Sequence, residues 1–300
     1  MARSGYAPGG YDWLAIWRRM YDDERAQAEQ TTAPGFAIDA DCWAGQAERF
    51  AATVRQATQP DSFMRFLLPH LRSGDRLLDI GAGTGRYEPT LARAVAEVLA
   101  VEPSPSMRER LERRIAEERI AGVRVVAAGW PEADVPPCDV AISAHVLYAV
   151  RDVGPFLERM DAVARRACFL LLAYQHPLSF MSAFWERFHG APRLLLPGAL
   201  ECLNALYQLG IPAQMALIPI RDRFSFADED DALDGIRSRL RLPPEPGRDR
   251  AILAAIHELL ERDADGRLAP RGLPEQTAVI WWEHEPAGVQ ASIEGELWRR

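Results

Sequence analysis

Between residues 72 and 175, short apolar runs alternate with charged, amphipathic stretches, and this alternation constrains the fold more than any other feature of the chain. Short, nearly continuous apolar runs are typical of parallel strands that helices bury on both faces. The stretches between them carry apolar residues at helical spacing, as Met107, Leu111 and Ile115 do. Strict alternation of strand and helix predicts an α/β fold with a doubly wound, mostly parallel sheet. The predicted strands are residues 76–80, 98–102, 123–128, 139–144 and 168–174.

Residues 1–71 have a helical pattern. Apolar residues recur at i, i+4, i+7 and i+11 from Trp43 to Val54, which marks one buried stripe. We expect these helices to form an N-terminal helical cap of residues 1–71. The predicted helices are residues 12–30, 39–58 and 60–71.

The pattern after residue 175 is less regular. Apolar runs at residues 213–220 and 277–283 are predicted to be strands. Helical insertions are predicted at about 176–212 and 228–265. Residues 72–300 are therefore predicted to form one larger domain behind the helical cap.

The basic residues restrict the chemistry of the chain. All 35 of them are arginine, so there is no lysine to form a Schiff base or to complete a phosphate-binding loop of the G-x-x-x-x-G-K-[ST] kind. The 43 acidic residues give a net charge of −8 at pH 7. This excess argues against a nucleic-acid partner, because counterion release requires a concentrated basic face.

The cysteines and the apolar segments bear on localisation. Cys42, Cys138, Cys168 and Cys202 are widely spaced with no C-x-x-C pair, which favours reduced, mostly buried thiols over a zinc site or a disulfide framework. The first 20 residues lack the apolar core of a signal peptide. No segment reaches the roughly 20 clean apolar residues of a membrane span. The sequence therefore predicts a soluble, cytoplasmic protein.

Residues 77–85, LLDIGAGTG, form the best-defined motif: an apolar strand runs into three glycines and then into a helical pattern. Glycine lets the backbone turn sharply and approach a ligand with no Cβ in the way. The N–H groups that open the following helix can bind a polar or negative ligand. A dinucleotide fingerprint, G-x-G-x-x-G, would need glycine at the position of Arg86.

This D-x-G-x-G-x-G segment resembles motif I of the class I S-adenosylmethionine (SAM) dependent methyltransferases, which have a Rossmann-like fold. A second match is Glu102, which lies 21 residues beyond Gly81, the spacing at which a carboxylate meets a ribose diol. A third is the segment around the fourth strand, residues 138–148, which in this family lies beside the reactive methyl group. The resemblance covers roughly residues 72–175.

The resemblance implies SAM as the cofactor and a seven-stranded sheet whose last strand is antiparallel. It implies cofactor contacts along the glycine loop, after the second strand, after the third strand and at the end of the fourth. These residues are Asp79, Gly81, Ala82, Gly83, Thr84, Gly85, Glu102, Pro103, Ser104, Met107, Gly129, Trp130 and Ala144.

The chain departs from the family pattern after the third strand. Many relatives carry an acid there that accepts from the adenine amino group, whereas this chain has Gly129 and Trp130. We therefore expect backbone groups of this turn to recognise the adenine. Trp130 either stacks near the adenine or fills the core.

Candidate residues for the methyl acceptor follow the fourth and fifth strands. His145 and His176 are candidate general bases, because the pKa of histidine lies near neutrality, and His145 is the one assigned to catalysis. Tyr148, Tyr174 and His176 are candidates for binding the substrate. The remaining histidines share no ligand spacing, so no metal site is predicted.

The acidic composition and the predicted cap favour a SAM-dependent methyltransferase that acts on a small organic acceptor. One alternative is an RNA or protein methyltransferase, which would predict basic patches with interleaved aromatic residues. Another is a catalytically silent SAM-binding module, whose cofactor motifs would look the same. The identity of the acceptor atom and the oligomeric state are left open by the sequence.

Overall fold

The structure is a computed structural model that describes residues 10–34, 36, 61–174, 179–220 and 224–284. The predicted helix over 39–58 lies outside the described residues. The described helices are α1 (Trp13–Thr31), α2 (Ser62–Leu67), α3 (Glu88–Ala94), α4 (Pro105–Glu117), α5 (Val153–Val163), α6 (Met181–His189), α7 (Ala199–Gln208), α8 (Glu229–Arg239) and α9 (Pro246–Leu259).

Seven of the described strands form one sheet, whose order along the hydrogen-bonding direction is β3-β2-β1-β4-β5-β9-β6. The pairs among β1 to β5 are parallel, and β9 is antiparallel to both of its neighbours, β5 and β6. This topology confirms the prediction of a doubly wound sheet whose last strand is antiparallel. The strands are β1 (Arg76–Ile80), β2 (Glu97–Val101), β3 (Val123–Val126), β4 (Cys138–Ala144), β5 (Ala164–Leu172), β6 (Gln214–Pro219) and β9 (Gln276–Glu283).

Helices bury the sheet on both faces, as the apolar strands require. Leu78 of β1 belongs to one apolar core together with α5 and α7, and Leu77 belongs to another together with α2 and α3. Successive residues of a strand point to opposite faces, so these two cores lie on opposite sides of the sheet. Trp17 of α1 joins the first core and Phe63 of α2 joins the second. The predicted boundary between a cap and a domain at residue 71 stays a prediction.

The helical insertions pack into a third core. Its members come mainly from α6, α8 and α9, with Phe184, Ile236 and Ile252 among the fully buried residues. A two-stranded sheet of β7 (Leu260–Arg262) and β8 (Leu268–Pro270) closes this core, and the sequence pattern did not predict it. Its strands are three residues long, too short to show the alternation from which a strand is recognised.

The described cysteines Cys138, Cys168 and Cys202 are free and buried. Within the described ranges, no helix combines the length and the apolar character that crossing a membrane would require.

Helix α1 is fastened to the segment that follows β4. The buried Trp17 indole donates from Nε1 to the carbonyl of Val150 at 2.8 Å. Next to this bond, the Arg151 guanidinium makes two hydrogen bonds of 2.7 Å to the carboxylate of Asp22. The helix itself begins at the N-cap Asp12, whose side chain accepts from the Ala15 N–H. The N-terminal helix thus supports the loop at the carboxyl end of β4.

The Trp17 bond predicts the stability of two tryptophan variants. Trp17→Phe leaves the Val150 carbonyl without its donor and opens a small cavity, so we expect it to lower the free energy of unfolding by about 2–3 kcal/mol. Trp13→Phe is the control, because among the described residues the Trp13 Nε1 has no hydrogen-bond partner. We expect a change within about 1 kcal/mol for the control. Urea unfolding measures both, and equal losses would contradict this account of Trp17.

Candidate functional site

The glycine loop after β1 is held against the end of β2. The N–H groups of Gly81 and Ala82 both donate to the Val101 carbonyl, at 2.8 and 3.1 Å. Gly81, Gly83 and Gly85 have φ angles of +79°, +60° and +85°, a region that side-chain-bearing residues rarely adopt. The loop therefore needs glycine at these three positions for its backbone conformation alone.

The surroundings of the three glycines differ. A Cβ placed on Gly81 would overlap a methyl group of Val146, and one on Gly85 would lie 2.8 Å from Cδ1 of Leu111. A Cβ placed on Gly83 meets nothing within 4 Å. Gly81 and Gly85 thus permit close packing, while Gly83 presents bare backbone to open space, as a loop that cradles a ligand does.

Glu102, directly after β2, holds the open side of the loop. One carboxylate oxygen accepts from the Gly83 N–H at 2.8 Å, and the other accepts from the Ser104 N–H at 2.8 Å. The side chain is buried. A carboxylate has about four acceptor positions, so one such group can bond to the loop and also to a ligand hydroxyl.

Beyond Glu102, the chain turns directly into α4. Ser104 is the N-cap of this helix, and its hydroxyl accepts from the Met107 N–H at 3.3 Å. Met107, in the first turn of this helix, is buried, while Pro103 is exposed. Thr84 and Ala82 are also buried in the loop, and Ala144 is half-buried at the end of β4. These predicted cofactor residues thus lie at or near the carboxyl edge of the sheet.

A pair of buried carboxyl groups lies under the glycine loop. Asp79 of β1 and Glu88, the first residue of α3, are both buried and are in hydrogen-bond contact with each other. Burial raises the pKa of Asp79 well above its usual range, and the neighbouring Glu88 raises it further. Burial also raises the pKa of Glu88, to about 7. Two touching carboxyls in such a place cannot both be ionised without a large cost, so the pair shares a proton.

The sequence analysis missed Glu88. An acid in the first turn of a helix is ordinarily a solvated residue that complements the helix dipole. Its burial results from long-range packing of β1 and the glycine loop, which local pattern does not reveal. The only local signal was its position three residues after Gly85 in a strand–glycine–helix motif.

The segment after β3 holds Trp130 in the core. The indole donates from Nε1 to the Phe156 carbonyl at 3.1 Å and meets the Phe156 ring edge-on at a centroid distance of 6.2 Å. Gly129 is half-buried, and a Cβ placed on it would lie 3.9 Å from a carboxylate oxygen of Glu132. The indole N–H is therefore engaged by α5, and the role of Gly129 and Trp130 in binding adenine stays a prediction.

His145 and Tyr148 follow β4 and contact each other. His145 has a φ angle of +59°, and its N–H donates to the Leu171 carbonyl of β5 at 2.8 Å. Its ring stacks on Tyr148, and Nδ1 lies 3.3 Å from the Tyr148 hydroxyl. That hydroxyl also accepts from the Ala173 N–H just after β5. Tyr148 thereby links the carboxyl ends of β4 and β5 and orients the His145 ring.

The environment of His145 favours its neutral form. The residue is exposed to solvent, yet protein atoms crowd the ring from several sides. The resulting loss of hydration, together with the positive charge of Arg86, lowers the pKa of His145 to about 4. At neutral pH the imidazole is uncharged.

Two candidate residues for binding the acceptor, Tyr174 and His176, follow β5, and the structure describes only the first. Tyr174 is about half exposed and borders a recess of about 350 Å³ at the edge of the sheet where β5 and β6 end. His176 lies outside the described residues. The recess is lined by Tyr174, Leu217, Pro219, Pro274, Glu275 and Gln276.

The bare backbone at Gly83 and the adjoining Glu102 carboxylate fit a nucleoside-bearing cofactor such as SAM. Residues 49–188 match the family model described as a methyltransferase domain. The match covers slightly less than half of the chain and indicates a methyltransferase domain in this part of it.

Individual relatives resemble only part of the chain. An uncharacterized methyltransferase of Bacillus velezensis is 31% identical over 103 residues, which is 30% of this chain and 46% of that protein. A magnesium-protoporphyrin O-methyltransferase of Rhodobacter capsulatus is 28% identical over 144 residues, 46% of this chain and 63% of that protein. The chain thus spans less than two thirds of either relative. The crystal structure of YcgJ from Bacillus subtilis superposes with a TM-score of 0.48 at 15% identity, covering 74% of this chain and 98% of that one.

From the geometry of the glycine loop we expect different defects in two alanine variants, mainly of stability at Gly81 and mainly of SAM affinity at Gly83. Gly81→Ala adds both a strained left-handed conformation and an overlap with Val146, so we expect it to lower the free energy of unfolding by about 2–4 kcal/mol. Gly83→Ala adds only the conformational cost of about 1–2 kcal/mol. Its Cβ would fill the open side of the loop, so we expect SAM affinity to fall by at least about tenfold. Urea unfolding and calorimetry separate the effects, and tight SAM binding by a folded Gly83→Ala variant would contradict the assigned cradle.

Proposed function

We propose that this protein is a SAM-dependent methyltransferase that methylates a small organic acceptor. The observation that carries the proposal is the Glu102 carboxylate bonded to the Gly83 N–H, beside a loop whose backbone at Gly83 faces open space. His145 and Tyr148 lie at the same carboxyl edge of the sheet, where ligands of open α/β sheets bind. The methyltransferase family of residues 49–188 supports the reaction class.

Each residue has a proposed role in the reaction. When bound, SAM would supply an electrophilic methyl carbon for a bond to the acceptor, and its sulfur would leave with the electrons of the broken carbon–sulfur bond. Glu102 would hold the ribose diol, and the glycine loop would fix the direction of approach. His145 would take the acceptor's proton through Nε2, because Nδ1 faces the Tyr148 hydroxyl. Tyr148 is a positioning residue for this ring.

A relative that acts on protein suggests an alternative acceptor. A protein-L-isoaspartate O-methyltransferase of Rhodopseudomonas palustris is 39% identical over 57 residues, 19% of this chain and 26% of that protein. A protein acceptor is therefore the second candidate, and hydroxyl and carboxyl compounds are the first small molecules to test. Formation of S-adenosylhomocysteine with each acceptor separates these candidates from a silent SAM-binding module, which would form none.

The role of Glu102 is tested by cofactor affinity. Hydrogen bonds to a charged group contribute about 1.5–3 kcal/mol, so we expect Glu102→Ala to weaken SAM binding by roughly 10- to 150-fold. Glu97→Ala is a control at the opposite end of β2, where its carboxylate pairs with Arg76 at 2.6 Å. The control should bind SAM as the wild type does. Unchanged SAM affinity of a folded Glu102→Ala variant in calorimetry would contradict the assignment.

The role of His145 is tested by rate and by pH. If it is the base, His145→Gln should lower kcat by about 10²- to 10⁴-fold and change SAM affinity much less. A base acts in its unprotonated form, so the rate rises with pH through its pKa and is level above it. With a pKa lowered to about 4, wild-type kcat at saturating SAM should be level around neutral pH and fall only in acid. A His145→Gln rate within a few-fold of wild type would leave the residue a structural role.

A further inference from the structure

The Asp79–Glu88 pair is a second chemical feature of the loop, separate from the groups that would hold the ribose and the acceptor. Both side chains are buried, and Glu88 is inaccessible to solvent. Oε2 of Glu88 accepts from the Tyr87 N–H at 3.2 Å. Among the described residues, no group donates a hydrogen bond to Oε1. A proton shared with Asp79 satisfies this arrangement, because a protonated carboxyl can donate to a neighbouring carboxylate.

The pair lies against the turn of the glycine loop. A Cβ placed on Gly85 would lie 3.5 Å from Oε2 of Glu88. The carbonyl of Gly85 accepts from Nη1 of Arg114 at 2.7 Å, so α4 clamps the turn from the other side. Glu102, which bonds the loop at Gly83, interacts electrostatically with Asp79. The pair is thus in contact with the turn of the loop and is electrostatically linked to the Glu102 carboxylate.

Charged and titratable groups face the pair from several elements. Glu102 after β2 disfavours the ionised form of Asp79, and Arg114 of α4 favours the ionised form of Glu88. Arg86 in the loop pairs with Asp61 before α2 at 2.8 Å, and Asp61 also accepts from the Tyr87 hydroxyl at 3.2 Å. Arg86 is thus paired with Asp61.

We propose that the Asp79–Glu88 pair couples cofactor binding to proton release. The pair keeps its shared proton in the ligand-free loop and beside a neutral thioether, and gives it up to the solvent when a sulfonium cation is bound. This inference rests on the proposed function. Its physical basis is that a nearby positive charge favours the ionised form of a carboxyl group.

The coupling lets the protein distinguish the charged methyl donor from its uncharged product. By linkage, a site that releases a proton on binding binds its ligand more tightly as pH rises, by up to about tenfold per pH unit for one proton. The preference for SAM over S-adenosylhomocysteine should therefore grow with pH. After methyl transfer the pair regains a proton, which favours release of the product.

The test counts protons by calorimetry of the full-length protein. SAM and S-adenosylhomocysteine are each titrated at about pH 7 in phosphate and in Tris, whose ionisation enthalpies differ, so the difference in heat gives the protons released. For wild type we expect about 0.5–1 more proton released with SAM than with S-adenosylhomocysteine. The α-amino groups of the ligands also titrate, so the decisive quantity is the difference between wild type and the variants.

Glu88→Gln removes one of the two titrating groups while keeping its size and its ability to hydrogen-bond Asp79. We expect this variant to lose the extra proton and to show a SAM preference that no longer grows with pH. Asp79→Asn should have the same effect from the other side of the pair. The matched control is Glu109→Gln, an exposed acid of α4 paired with Arg113 at 2.7 Å, which should behave as wild type. An extra proton that persists in both pair variants would overturn the proposal.

A second measurement needs no cofactor. The pKa of Glu88 is raised in the folded protein, so the folded state binds the proton more tightly than the unfolded chain. The resulting stabilisation is therefore lost as pH rises between about 4.5 and about 7. We expect urea unfolding to show this loss in wild type and a flatter profile in Glu88→Gln; parallel profiles would overturn the proposal. If neither SAM nor S-adenosylhomocysteine binds wild type, the proposed function fails, whatever the unfolding profiles show about the pair.

Discussion

The bond between the Glu102 carboxylate and the Gly83 N–H is the interaction on which the candidate site depends. It joins the ends of two neighbouring strands, β1 and β2, and sets the shape of the loop between β1 and α3. The Val101 carbonyl reinforces the junction by accepting from two loop N–H groups. Because the β1 loop is fixed in this way, an open surface of bare backbone lies next to a buried carboxylate.

Much of this arrangement could be predicted from the sequence, because its determinants are local. The glycines at 81, 83 and 85 adopt positive φ, which their residue type alone indicates. Glu102 was singled out by its spacing of 21 residues beyond Gly81 and by the family resemblance. The two residues meet because β1 and β2 are parallel neighbours. The strand pattern likewise predicted β1 to its exact bounds, while β5 begins at Ala164, four residues before the predicted start. The first residues of β5 include Arg165 and Arg166, and these charged residues interrupt the apolar pattern from which the strand was predicted.

Other features were beyond sequence reasoning because they depend on packing between distant elements. The burial of Glu88 follows from the closeness of β1, α3 and the glycine loop, and an acid at the start of a helix resembles a solvated cap. From the sequence, Trp130 could either stack near the adenine or pack in the core. In the structure its indole N–H donates to the Phe156 carbonyl. The bond from Tyr148 to the Ala173 N–H joins residues 25 positions apart, and no spacing rule indicates it.

Helix α1 belongs to two hydrophobic cores at once. Trp17, in its N-terminal half, is part of the core shared with the sheet, and Ala28, near its C-terminal end, is part of the core formed by the insertions. Arg193, before α7, adds an ion pair of 3.1 Å to Glu24 of the same helix. Because α1 contacts both cores, a displacement of the insertions relative to the sheet would change the contacts of α1 with the segment after β4. The N-terminal helix thus couples the core of the sheet to the core of the insertions.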